Sequence, residues 1–385
     1  MRSVHLRDIR ASTAAHSSAS SATCVASPDV VRVRRSSPEQ KPLGDGVAVD
    51  FRALGIAVGH ATDANGATGL TVVRGIDAPV RAGAAVFGRA AGTRELHTLS
   101  VDHLVDRIDA VMLTGGSAYG LDAAAGVMRW MEERGRGFSV PGGVVPIVPA
   151  AVIFDLAPLG RFDARPTAAM AYEACEAASP SDFAEGSVGA GAGATVGKIA
   201  GPTRAMKGGF GASLGNNGRW HVGALAVVNA LGDVRDMSGR IIAGARADEH
   251  DAPPWRFIDA SRELAANGGA ALPSRSGALN GAAAPMNTTL SIVATDAPLG
   301  RLELTQLARA AGAALFRRIT PTGTGVDGDV VFAIGPFTAT PAGQFEGPTT
   351  AIEALAVATL EEAIERAVKT ARGRDAVPGL ADGPR

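Results

Sequence analysis

At Asn287-Thr288-Thr289-Leu290-Ser291-Ile292-Val293-Ala294 the chain passes abruptly from low-complexity sequence into a run of apolar and β-branched residues. That run predicts a strand over 289–294. Residues 232–287 before it carry Gly, Pro, Asp, Arg and Ser with little periodicity, and 267–285 is low in complexity. A structureless loop of that length inside a compact domain is uncommon and is usually functional or disordered. A flexible segment followed by a strand that starts on a hydroxyl residue is what a processing site requires.

Outward from this junction the chain alternates between two periodicities. Downstream, 302–318 and 351–371 have helical spacing, with Leu302, Leu307, Ala308, Ala311 and Leu315 expected on the inner face of the first. Residues 329–334 between them read as a strand. Upstream, strands are expected at 54–58, 70–73, 110–113, 151–154 and 222–229, and helices at 119–134 and 168–178. Ser117 stands where an N-cap belongs for the 119–134 helix, and Gly135 just past its end. There is no internal repeat. The mixture predicts a layered α/β fold.

The 385 residues, 46% hydrophobic and 19% charged, can bury a large core. With 37 basic and 38 acidic residues and only 4% aromatics, neither nucleic acid nor an anionic membrane is an expected partner. No apolar run reaches the roughly 18 residues that span a bilayer. Residues 1–45 lack a secretory apolar core and read as a disordered extension, so a cytoplasmic location is expected.

Several chemistries can be set aside. The two cysteines, Cys24 and Cys175, support neither a disulfide framework nor a four-ligand zinc site. The seven histidines show no metal-ligand spacing, and no metal or cofactor is expected. Gly116-Ser117-Ala118-Tyr119-Gly120 has the GxSxG form of a nucleophile elbow, but that reaction needs a histidine late in the chain, and none follows His250. The glycine-rich run Gly189–Lys198 has Ala192 and Ile199 where a phosphate loop needs glycine and a hydroxyl residue. Its glycines are better suited to close backbone packing and to presenting N–H groups to a site.

A hydrolase without a histidine base has another route. A threonine that becomes the first residue of a chain can pass its hydroxyl proton to its own α-amine, which titrates near 7.7–8.0 in model peptides. Thr288 would be that residue after cleavage of Asn287–Thr288. Asn229 at a strand end could donate to an oxyanion, Lys198 could place charge beside the amine, and Asp327 and Asp329 could fix the hydrogen-bond network. Each also has a plain reading: a strand terminus, a solvated lysine, and an Asp-Gly turn.

The residues resemble the DmpA-like self-processing aminopeptidases, a family that includes L-aminopeptidase/D-esterases, β-aminopeptidases and the nylon-oligomer endohydrolase. The similarity runs from Gly55 to about Ala371. It is carried by Gly55–Asp63, Thr68–Val73, Leu113–Asp122, Arg129–Gly135, Val148–Asp155, the 189–198 loop, Val222–Asn229, Asn287–Leu290 and Asp327-Gly328-Asp329. The resemblance implies a four-layer αββα sandwich of the DmpA/ornithine acetyltransferase type, autoprocessed, with residues 46–287 as the larger chain and 288–385 as the smaller. It implies catalysis by Thr288, Asn229, Lys198, Asp327 and Asp329 on a small peptide or amide, in a homo-oligomer of processed heterodimers. Phe154 and Tyr119 are expected in the substrate pocket. Phe154 stands where the nylon-oligomer enzyme has a tyrosine, which points away from nylon-type substrates. Two other functions share the fold: an acyltransferase of the ornithine acetyltransferase type, and a small-molecule binder that never matures.

Overall fold

The computed structural model describes residues 49–157, 159–267, 287–337 and 348–383. Two five-stranded mixed sheets carry the fold. The first has the order β1 (Ile56–Asp63), β2 (Thr68–Gly75), β5 (Ala110–Thr114), β8 (Ala150–Val152), β4 (Thr93–Arg94). The second runs β11 (Gly209–Asn216), β12 (His221–Asn229), β15 (Thr288–Thr295), β17 (Gly328–Pro336), β3 (Val80–Gly88). Each contains one parallel pair, β5 with β8 and β15 with β17. Shorter strands form a hairpin, β6 (Phe138–Val140) with β7 (Gly143–Val145), and a pair, β9 (Thr195–Val196) with β10 (Met206–Lys207). A small third sheet joins β13 (Asp233–Arg235), β14 (Ile241–Ala243) and β16 (Ile319–Thr320).

The helices are α1 (Ala124–Glu132), α2 (Ala168–Glu176), α3 (Ala260–Asn267), α4 (Arg301–Ala311), α5 (Ala313–Arg318) and α6 (Thr350–Lys369). Three apolar clusters define four layers. Val73, Leu113, Phe210, Leu225, Ile292 and Phe332 fill the space between the sheets. Val127, Trp130 and Ala174 of α1 and α2 cover the outer face of the first sheet, and α4 to α6 cover the second through Leu304, Leu315, Leu360 and Ile364. Because both faces of the strands are covered, β12 and β17 read as continuous apolar runs rather than alternations. Alternation persists only in which core each residue enters. In β12 Leu225 and Val227 enter the intersheet core, while Ala224, Ala226 and Val228 face the helices. The αββα sandwich expected from the resemblance is the observed fold, and the described residues form one compact unit. Among the described residues no helix is long and apolar enough to cross a membrane.

Four details differ from expectation. The 119–134 helix opens as a 3-10 turn over Ser117–Ala123, and Ser117 is not its cap: it has left-handed backbone (φ 53) and no side-chain capping bond. Its N–H donates instead to Ile153 O, because the turn is set by the neighbouring strand end. The 302–318 helix is broken at Gly312, and its inner face carries Leu304, while Leu302 is 66% exposed. The first strand begins at Ile56, after a 3-10 turn over Arg52–Leu54. Residues 232–267 are structured rather than a loop. The buried Asp233 carboxylate accepts the N–H groups of Ala245 (2.8 Å) and Ala260 (2.7 Å), and Arg235 pairs with Asp259 at 2.9 Å. Polar pinning of this kind leaves no apolar period to read. The expected extension over 1–45 and residues 268–285 of the low-complexity stretch lie outside the described residues.

Candidate active site

In β15 Leu290, Ile292 and Ala294 point into the intersheet core, and the two-residue period puts Thr288 on the same face. In β12 the same rule puts Asn229 beside Leu225 and Val227. The antiparallel register then sets Asn229 directly opposite Thr288, at the ends of two central strands. Asn229 Nδ2 donates to Phe154 O at 3.2 Å, just past the end of β8 in the other sheet. The cluster therefore lies between the sheets at one end of the sandwich, where side chains from both can converge.

The glycine-rich run supplies the next two groups. Gly197 turns with left-handed backbone (φ 69), and a Cβ there would sit 2.0 Å from Gly244 C and Ala245 N. Only glycine fits, and the turn delivers Lys198 to the cluster. Lys198 Nζ donates to Asn229 Oδ1 (2.9 Å) and to Asn229 O (3.0 Å), and Thr195 N–H donates to Asn229 Oδ1 (3.1 Å). With Oδ1 held by two donors, the amide nitrogen must face the other way. Burial pushes the Lys198 ammonium down to about 7, although Asp327, Asp329 and Asp155 pull it up.

Asp329 holds the other side. One oxygen accepts Thr289 N–H at 2.6 Å, and the other accepts Thr322 Oγ1 (2.8 Å) and Gly323 N–H (3.2 Å). Burial, then the charge of Asp327, raises its carboxyl to about 6 against those three donors. Asp327 closes the preceding turn by accepting Thr324 N–H (2.8 Å) and Thr324 Oγ1 (2.7 Å). At the buried Asn287–Thr288 peptide, the Asn287 carbonyl accepts Gly328 N–H (2.9 Å) and the Thr288 hydroxyl (2.7 Å). Gly328 is needed there because a Cβ would meet Ala90 backbone at 2.5 Å.

Thr288, Asn229, Lys198 and Asp329 are thus assembled, with Asp327 acting on them through its turn and its charge. Phe154 joins through its main-chain carbonyl, its side chain being half-buried. Tyr119 is not brought to the cluster: it is 52% exposed and stacks under Arg165, 3.5 Å from guanidinium carbon to ring centroid. Among the described residues no histidine is hydrogen-bonded to Ser117. His60 engages Thr71, His221 pairs with Asp296 at 2.7 Å, and His250 faces solvent beside Glu249. Among the described residues no three His, Cys, Asp or Glu side chains group as metal ligands. Sequence reasoning missed Thr195, which acts through its main chain, and a second buried polar group behind it. There Asp155 accepts Thr68 Oγ1 (2.8 Å) and Gly116 N–H (2.7 Å), near the buried Lys207. The only available signal was a lone aspartate closing the apolar run Ala151-Val-Ile-Phe154.

Residues 53–379 match the model of peptidase family S58. A Mycobacterium bovis protein described as an uncharacterized aminopeptidase is 43% identical over 295 residues, covering 73% of this chain and 79% of its own. A 6-aminohexanoate-oligomer endohydrolase of Kocuria sp. is 32% identical over 292 residues, covering 74% of each. Among solved structures, the L-aminopeptidase D-Ala-esterase/amidase of Ochrobactrum anthropi, a variant of the Ntn-hydrolase fold, aligns with TM-score 0.61. It is 20% identical and covers 87% of this chain and 91% of its own. A Burkholderia sp. β-aminopeptidase aligns with TM-score 0.59 at 22% identity, covering 88% and 93%. At these identities the two structures speak to fold alone.

Proposed function

The chain belongs to peptidase family S58, whose members hydrolyse amide bonds, and we propose that it cuts its own Asn287–Thr288 bond and then works as an N-terminal-threonine aminopeptidase or amidase. The observation that carries this reading is the junction itself. The Thr288 hydroxyl lies 2.7 Å from the Asn287 carbonyl oxygen, and Gly328 N–H holds the same oxygen from a second direction. In maturation Thr288 Oγ bonds to the Asn287 carbonyl carbon, the C–N bond breaks, and the proton leaving Oγ ends on the Thr288 nitrogen. Breaking that bond frees the α-amine, and water then hydrolyses the resulting ester, releasing the Thr288 hydroxyl and leaving a carboxylate on Asn287.

In turnover the same Oγ attacks a substrate amide. The α-amine takes its proton and passes it to the leaving amine, and water releases the acyl group from Thr288. Asn229 has one Nδ2 hydrogen on Phe154 O and a second available for the oxyanion. Lys198 beside Asn229 adds positive charge, which favours an unprotonated α-amine. The larger chain, ending at Asn287, would supply Asn229 and Lys198, and the smaller, starting at Thr288, the nucleophile and both aspartates. Phe154 leaves no hydroxyl at its position, which supports short aminoacyl amides over nylon-type oligomers.

Intact mass and N-terminal sequencing of purified protein test the proposal. Two chains are expected, the smaller reading Thr-Thr-Leu-Ser, and Thr288→Ala should remain a single inert chain. An active preparation containing only uncut chain would overturn it.

A further inference from the structure

Lys207, in β10, has no part in the chemistry above, yet it is among the most deeply buried side chains of the molecule. Its Nζ lies on three main-chain carbonyls of the glycine-rich run: Ala192 O (2.8 Å), Ala194 O (2.9 Å) and Gly191 O (3.5 Å). Among the described residues no carboxylate forms an ion pair with it. A buried ammonium held only by neutral carbonyls is a costly way to satisfy those carbonyls, so its placement calls for a function.

The peptide joining Ala194 to Thr195 shows what that function is. In a trans peptide the C=O and the N–H point in opposite directions. Lys207 and Gly208 N–H together hold Ala194 O on one side, Gly208 at 2.9 Å. The N–H of the same unit is thereby aimed the other way, where it meets Asn229 Oδ1 at 3.1 Å. Rotation of this peptide would remove one of the two donors that decide which end of the Asn229 amide faces Thr288. The positive charge on the carbonyl side also polarises the unit and strengthens its N–H as a donor.

We infer that Lys207 is a positioning residue: through the Ala194–Thr195 peptide it fixes the orientation of the Asn229 amide and so completes the oxyanion site. This rests on the reading of Asn229 as the oxyanion donor, and the experiment separates the two. Lys207→Met keeps an unbranched apolar stem and removes the donors. It is combined with Asn229→Ala in a double-mutant cycle, with kcat and KM measured on an aminoacyl anilide using processed enzyme. Asn229→Ala alone should lower kcat by about 10²–10³. Lys207→Met alone should lower kcat by roughly tenfold or more with KM within about threefold of wild type, and should add less than about twofold on top of Asn229→Ala. Full additivity, or a normal kcat in Lys207→Met, overturns the inference while leaving Asn229 in place. Near-normal turnover of processed Asn229→Ala overturns the site reading and the inference with it.

Hydrogen exchange provides a measurement that does not depend on maturation. In Lys207→Met the peptide covering residues 192–198 should lose protection while the β15 core does not. Unchanged protection there overturns the inference even if the variant stays uncut.

Discussion

Thr288 and Thr289 are chemically identical in the sequence, and only their strand parity separates them. Thr288 faces the intersheet cluster, whereas Thr289 sits on the opposite face with a buried hydroxyl that has no hydrogen-bond partner among the described residues. Thr289 contributes its main-chain N–H, which Asp329 accepts at 2.6 Å and which survives any side-chain change short of proline. Thr289→Ala is therefore expected to process and to turn over within about an order of magnitude of wild type, since it costs local packing only. Thr288→Ser retains a hydroxyl and an α-amine and loses the β-methyl that restricts χ1, so it should still cleave, more slowly, and retain hydrolysis. A denaturing gel and anilide turnover read both variants. If Thr289→Ala were the dead and uncut one, the cleavage site would lie one residue further on.

At the scale of elements, the segment 232–267 combines a buried carboxylate with scattered apolar anchors rather than a continuous apolar stripe. Asp233 ties the end of β14 to the start of α3 by accepting Ala245 and Ala260 N–H. Val234 and Ala243 enter the core under the second sheet's helices, and a small cluster of Ile199, Leu231, Ala245 and Ala260 packs beside them. Asp233→Ala would leave two buried donors unpaired, at about 1–3 kcal/mol each. The expected result is a lower denaturation midpoint and protease cleavage within 241–267, with the two large sheets intact. An unchanged midpoint would show that the apolar anchors hold the segment by themselves. The same logic explains why β11 escaped the sequence reading. Its Gly209-Phe-Gly-Ala-Ser-Leu-Gly215 is poor in strand-forming side chains because α6 packs against its backbone. β3, rich in alanine and glycine beside α4, escaped for the same reason.

At the scale of the whole molecule, desolvation disfavours the charged forms of several ionisable groups among the described residues. Three carboxyls and two lysines outweigh His60, which is lowered to about 4 and opposes one carboxyl below about pH 6.5. Asp155, Asp233 and Asp329 are each raised to about 6, and Lys198 and Lys207 are lowered to about 7. For the carboxyls the folded state binds more protons than the unfolded state between about pH 4 and 6, so their contribution to stability is present below that window and is lost as pH rises through it. For the lysines the unfolded state binds more protons between about pH 7 and 10.5, so their contribution grows with pH across that window. Together these groups predict a dip in stability near pH 6 to 7. Chemical denaturation at fixed pH from 4 to 10 measures it, and Lys207→Met should flatten the alkaline limb. A curve that rises steadily from pH 4 to 7 would contradict the assignment of the three carboxyls.

The layered α/β class, the helices over 168–178 and 351–371 and the strand over 289–294, which the structure extends to Thr288–Thr295, follow from local pattern, because each is a periodic apolar signal carried by adjacent residues. The expectation of chemistry without a histidine base comes from composition and spacing, which also offer Thr288, Asn229, Lys198, Asp327 and Asp329 as candidates, whereas the αββα topology comes from resemblance. The tertiary structure alone decided how the main chain takes part. Thr195 N–H on Asn229, Gly328 N–H on the Asn287 carbonyl and Lys207 behind the glycine loop join residues far apart in the chain through groups that every residue possesses. Tyr119, expected in the substrate pocket, shows the complementary limit. A side chain's direction at the start of a 3-10 turn is set by what packs against it, and for Tyr119 that is Arg165 and Phe162. Sequence pattern reports which residues must be buried, whereas donor direction and side-chain aim arise only when distant strands fix each peptide plane.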